Sequence, residues 1–252
     1  MRTLIVANWK MNTKLPDAEV LTNYIINHNE EYSNIDLVLC PPYLWIYKVS
    51  EMLNGKKNIF MGSQNLSHET DGASTGEISA EMLSGLVKYS IVGHSERRAN
   101  FFENVGIINK KIRLALDNKI RPIICIGERQ VTVKSKDILM DEIKELLSDV
   151  KGEEMHNVVL VYEPVWAISS NDGSKPADGA YVANVIATFR ENLTKLFSRE
   201  VANHTKILYG GSVDAENAEE FLSQPGVDGI MVGSASLKGK EFLKICEIAN
   251  NK

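Results

Sequence analysis

Eight short apolar runs recur along the 252-residue chain: TLIVAN from Thr3, DLVLC from Asp36, NIFMG from Asn58, SIVG from Ser90, RPIICIG from Arg121, VVLVY from Val158, TKILYGG from Thr205 and DGIMVG from Asp228. None alternates polar with apolar, so each reads as a strand buried on both faces, the condition of a parallel strand lying under helices. Between the runs lie stretches with helical period. Val182, Val185, Ile186, Phe189, Leu193 and Leu196 share one face at 3.6-residue spacing, and so do Val105, Ile108, Ile112 and Ala115. Strand and helix therefore alternate, which predicts right-handed βαβ units. Eight such units in this length point to an α/β protein with a closed (β/α)₈ barrel, and a doubly wound open sheet is the second choice. No linker or composition break divides the chain, so residues 1–252 are expected to form one domain.

Composition narrows the partners. With 44% hydrophobic and 24% charged residues and no long apolar segment, the chain reads as a soluble protein without a membrane span. Its net charge of -5 and lack of a basic cluster speak against nucleic acid or an anionic membrane. The amino-terminal run stops at Asn8 and Lys10 without a signal-type cleavage site. Cys40, Cys125 and Cys246 are odd in number and widely spaced, which suggests neither a disulfide framework nor a cysteine zinc site, and His28, His68, His156 and His204 lack ligand spacing. The expectation is a cytoplasmic protein with no metal.

What each run leads into is more specific. Asn8 and Lys10, Pro41 and Pro42, Gln64 and Asn65, His94 to Glu96, Gly127 and Glu128, Glu163, Gly210 to Ser212, and Gly233 to Ser236 all stand at carboxyl ends, where barrels of this kind carry their active sites. Lys10 reads either as a surface lysine whose stem covers Trp9 or as a fixed cation that holds an anionic substrate and polarises its oxygen. His94 stands at an apparent helix start, where backbone N–H groups disfavour the imidazolium. Glu96 reads as a cap, or as a group that orients Lys10. The turns "YGGS" and "VGSAS" are each weak signals. On the last two strands together they match a phosphate cradle built from the N–H groups of Ser212, Gly233 and Ser234. Glu163, between Tyr162 and Pro164 with Trp166 beyond, is expected to be desolvated, with a raised pKa that suits a base; a solvated or ion-paired strand-end glutamate is the alternative. The polar run from Ser169 to Ser174 reads as a lid or as a passive loop.

The motifs "ANWKMN", "STGEISA", "IVGHSERR", "CIGE", "VYEPVWAI", "YGGSV" and "VGSASL" stand in the order in which the triosephosphate isomerase family carries them, and the chain resembles that family over nearly its whole length. The resemblance implies a homodimeric, cofactor-independent isomerase that interconverts dihydroxyacetone phosphate and glyceraldehyde 3-phosphate. It gives Glu163 the role of base, His94 that of neutral electrophile, Lys10 that of stabilising the enediolate oxygen, Asn8 that of positioning substrate and Glu96 that of supporting Lys10. The N–H of Ser169 would join Ser212, Gly233 and Ser234 on the phosphate, and the loop from Pro164 to Pro176 would close over them. Departures are local. Ser169, Ser170 and Asn171 replace a glycine-threonine-glycine lid tip, Ser234 replaces a glycine, and Ser74 stands where the family carries an aromatic residue in the intersubunit loop around Thr75. Two other readings remain open: a phosphate-binding protein without activity, and an isomerase of another phosphorylated carbonyl compound.

Overall fold

The computed structural model describes residues 2–28, 32–168 and 177–252. Strands β1 (Thr3–Asn8), β2 (Ile35–Cys40), β3 (Ile59–Ser63), β4 (Tyr89–Val92), β5 (Arg121–Ile126), β6 (Val159–Tyr162), β7 (Lys206–Tyr209) and β8 (Gly229–Val232) form a closed barrel in chain order. Every adjacent pair is parallel, and β8 closes on β1 with Leu4 opposite Gly229 and Ala7 opposite Val232. The closed barrel, rather than the open sheet, is thus the architecture.

Ten α-helices run along the chain: α1 (Leu15–His28), α2 (Tyr43–Met52), α3 (Ala80–Leu83), α4 (Ser95–Asn100), α5 (Val105–Asp117), α6 (Ser135–Leu146), α7 (Gly179–Leu196), α8 (Arg199–His204), α9 (Ala218–Leu222) and α10 (Gly239–Asn250) among the described residues. Burial explains why the strands show no alternation in sequence. Leu4, Val6, Val38, Ile91, Ile123, Val161 and Leu208 fill the barrel interior as one cluster. Their neighbours Ile5, Ala7, Leu37, Leu39, Ile124 and Leu160 pack outward under the helices as part of another. The pleat still sends successive side chains to opposite faces, but both faces are apolar. The interval of three and four in α5 and α7 places Ile108, Ile112 and Ala115, and Val182, Val185, Ile186, Phe189 and Leu193, in the buried layer. Among the described residues no helix is long and apolar enough to cross a membrane.

Candidate active site

Past the last paired residue of each strand the ladder thins to single backbone bonds, such as Trp9 N–H to the Cys40 carbonyl, and side chains hold much of the remaining backbone. At the end of β1, Lys10 adopts a left-handed backbone with φ 51, a costly state for a residue with a side chain. Two side chains fix it. The Lys10 N–H donates to Asn8 Oδ1 at 3.1 Å, and Gln64 Nε2 donates to the Lys10 carbonyl at 2.8 Å and to the Cys40 carbonyl at 2.9 Å. The Lys10 ammonium then meets Glu96 Oε1 at 2.5 Å, with both side chains partly exposed.

At the end of β4, Gly93 takes φ 68, which turns the chain so that His94 caps α4. His94 Nδ1 accepts the Glu96 N–H at 3.2 Å, so that nitrogen carries a lone pair and the ring proton stands on Nε2. Nε2 faces Glu163 Oε1 at 2.9 Å. Burial presses the imidazole toward its neutral form, but the Glu163 carboxylate beside it outweighs burial and raises the His94 pKa. The Glu96 carboxylate adds to that pull and the Lys10 ammonium opposes it, so the pKa is raised where the helix start alone predicts an imidazole biased toward its neutral form.

Glu163 follows β6 and is 2% exposed. Besides His94, its carboxylate accepts the Ser95 N–H at 3.0 Å on Oε2 and the Ser95 hydroxyl at 3.1 Å on Oε1. Burial pushes its pKa up; His94 and the two Ser95 donors reverse this, and the pKa lies below the ordinary value. The sequence predicted a raised pKa, on the reasoning that Pro164 and Trp166 strip the carboxylate of water. Desolvation is present, but the donors it brings with it prevail. Trp166, moreover, points away: its indole N–H donates to Glu128 Oε1 at 2.9 Å, and among the described residues it is not part of the cavity wall.

The cavity at this end of the barrel has a volume of about 450 Å³. Asn8, Lys10, His94, Glu96, Glu163, Ser212, Gly233 and Ser234 all line it, with Ile168, Met231 and Leu237 as apolar wall. Ser169 and the lid from 169 to 176 lie outside the described residues. One cradle donor is engaged differently from expectation: the Ser212 N–H and hydroxyl both donate to the Ala167 carbonyl, at 3.2 and 2.7 Å. Gly233 precedes the short 3₁₀ helix Ser234–Leu237, whose first N–H groups have no partner within the helix. The arrangement sets a carboxylate, an imidazole N–H and an ammonium around one cavity that also offers backbone donors to an anion. Such a set can move a proton on a carbon next to a carbonyl and stabilise the oxyanion that results.

A sequence profile described as triosephosphate isomerase matches residues 3–249. The chain belongs to the triosephosphate isomerase family. It is 40% identical over 251 residues to the triosephosphate isomerase of Carboxydothermus hydrogenoformans, covering 97% of both chains. Against the triosephosphate isomerase of Dehalococcoides mccartyi it is 40% identical over 253 residues, covering 99% of this chain and 98% of the relative. The triosephosphate isomerase of Chloroflexus aurantiacus is 37% identical over 246 residues, at 96% and 97% coverage.

Membership of the triosephosphate isomerase family puts the barrel and the cavity in one frame, and it makes two residues that sequence reasoning passed over easier to see. Ser95 lies within "IVGHSERR", where the sequence shows only a helix start, because its contact with Glu163 spans 68 positions. Glu128 stands at a strand end in the sequence, with nothing local to reveal that three donors converge on it.

Proposed function

We propose that this chain interconverts dihydroxyacetone phosphate and D-glyceraldehyde 3-phosphate in glycolysis and gluconeogenesis, without a cofactor, by proton transfer through an enediolate. The observation that carries the reading is the convergence of Glu163, His94 and Lys10 on one cavity. Substrate entering between His94 and Glu163 takes over the Nε2 proton as a hydrogen bond to its carbonyl oxygen, and the carboxylate released from His94 and Ser95 accepts the proton from the neighbouring carbon. Charge then builds on the substrate oxygen, where the imidazole N–H and the Lys10 ammonium offset it. The hydroxyl proton on the neighbouring oxygen passes by way of the imidazole to the enediolate oxygen, and return of the proton from Glu163 to the adjacent carbon then leaves the new carbonyl on the oxygen that gave up its proton. Asn8 and Glu96 position Lys10, and the main-chain donors around Ser212, Gly233 and Ser234, joined by Ser169, hold the phosphate. Ser212 contributes once its N–H leaves Ala167.

The same reading takes residues 1–252 as one domain in the cytoplasm, paired as a homodimer through the loop around Thr75. Thr75 is exposed, and large apolar side chains are exposed elsewhere on the surface, Met82 at 59% and Phe101 at 61%, which suits contact with a second copy.

A coupled isomerase assay on the purified chain beside Glu163→Gln tests the proposal. Activity in the unmodified chain and a fall of about 10²–10⁴-fold in the variant are expected. A folded, unmodified chain that neither isomerises the triose phosphates nor exchanges their carbon-bound protons with solvent would overturn it.

A further inference from the structure

One side of the segment that carries Glu163 faces the cavity; the other faces a carboxylate with no part in the reaction. Glu128, just past β5, is 7% exposed, and its Oε1 accepts three hydrogen bonds: from the Tyr162 hydroxyl at 2.8 Å, the Trp166 indole N–H at 2.9 Å and the Tyr181 hydroxyl at 3.1 Å. A carboxylate this deeply buried is costly unless donors surround it, so its position follows theirs. Its main chain is tied to the same segment. The Val165 N–H donates to the Glu128 carbonyl at 3.0 Å, and the Glu163 N–H to the Ile126 carbonyl at 2.8 Å. The end of β5 therefore grips the chain on both sides of Pro164.

Two of the three donors, Tyr162 and Trp166, belong to the gripped segment and would move with it. Tyr181 does not. It stands in the first turn of α7, where its N–H donates to the capping Asp178 Oδ1 at 3.0 Å, and its ring meets Trp166 edge-on with centroids 5.8 Å apart. Burial, and then the Glu128 charge, raise the Tyr181 pKa, which keeps the hydroxyl a donor.

We propose that Tyr181 is a positioning residue for the base: through Glu128 its hydroxyl fastens the Glu163 segment to α7. The inference rests on the reading of Glu163 as base. It assigns Tyr181 no contact with substrate; its effect is to hold the main chain from which the carboxylate approaches the reacting carbon, and rate is sensitive to displacements of that kind.

Tyr181→Phe removes the hydroxyl and keeps the ring against Trp166. We expect kcat to fall about three- to tenfold, with KM within about twofold of the unmodified value. In protein labelled with ¹⁵N-tryptophan, the Trp166 indole resonance, assigned by its loss in Trp166→Phe, is expected to shift. A merely structural tyrosine would lower Tm and leave kcat and the indole resonance in place, and that result overturns the proposal. So does an altered kcat with an unmoved indole resonance, a moved resonance with unaltered kcat, or a change confined to KM. An unmodified chain without isomerase activity sinks the isomerase reading itself, and the base with it; an active chain whose Tyr181→Phe variant matches it in kcat sinks the role of Tyr181 alone.

Discussion

Glu163 rests on Ser95 and His94 in the structure, and each bond it accepts there favours the charged carboxylate. The serine hydroxyl is the donor that substitution can remove without disturbing the helix start. In Ser95→Ala the Glu163 pKa should rise, so the acid limb of kcat/KM, which reports the free base, should move to higher pH. A pH–rate profile of the two proteins checks this. Linkage gives a second sign. Because the folded pKa of Glu163 lies below its ordinary value of 4.5, its contribution to stability is present above that pH and is lost as pH falls through the folded pKa. The difference in Tm between the native chain and Glu163→Gln should therefore change as acid protonates the carboxylate below pH 4.5, and change again as pH rises above 6.5 through the pKa of His94, which Glu163 holds up. At this scale the sequence was a good guide to which residues line the cavity and a poor one to their state. Glu163, His94 and Lys10 could be found from strand ends and motif order. The lowered pKa of Glu163, the turned-away Trp166 and the engaged N–H of Ser212 depend on partners from 38 to 68 positions away, which no local pattern encodes.

Between elements, the tightest constraint is the junction of β5 and β6. A Cβ at Gly127 would stand 1.9 Å from the Glu163 carbonyl oxygen and 3.1 Å from the Pro164 nitrogen, both backbone atoms that cannot step aside. Gly127→Ala should therefore cost about 1–3 kcal/mol as an overpacked site, read as roughly 3–10 °C in Tm, and should lower activity by displacing the base. A second junction is ionic. Lys111 on α5 reaches Glu103 Oε1 at 2.5 Å and Asn65 Oδ1 at 2.7 Å, with Arg97 Nε on the same Glu103 oxygen at 2.5 Å. Lys111 and Glu103 are almost wholly buried, so Lys111→Met, which strands the glutamate with one partner, should destabilise by about 3–5 kcal/mol in chemical denaturation. The long helices α5 and α7 were legible because they repeat the 3.6 interval several times. The four-residue α3 and the six-residue α4 and α8 are too short to show a period, and their ends are set by side-chain caps from Ser79, His94 and Ser198.

For the molecule as a whole, the barrel could be read from eight unalternating runs, but its closure could not: the pairing of β8 with β1 joins the two most distant strands in the chain. The assembled state lies at this scale too. If the loop around Thr75 pairs two copies, sedimentation should give twice the chain mass, and Thr75→Arg should yield a monomer of lower activity. The parked position of Glu163 has a consequence for inhibition. On the proposed reading, free phosphate occupies the anion cradle without dislodging the carboxylate from its serine, whereas a ligand long enough to carry a carbonyl evicts it. The short anion and the long one thus compete with different resting contacts, so loosening that serine grip should sharpen inhibition by carbonyl-bearing analogues and leave inhibition by phosphate untouched.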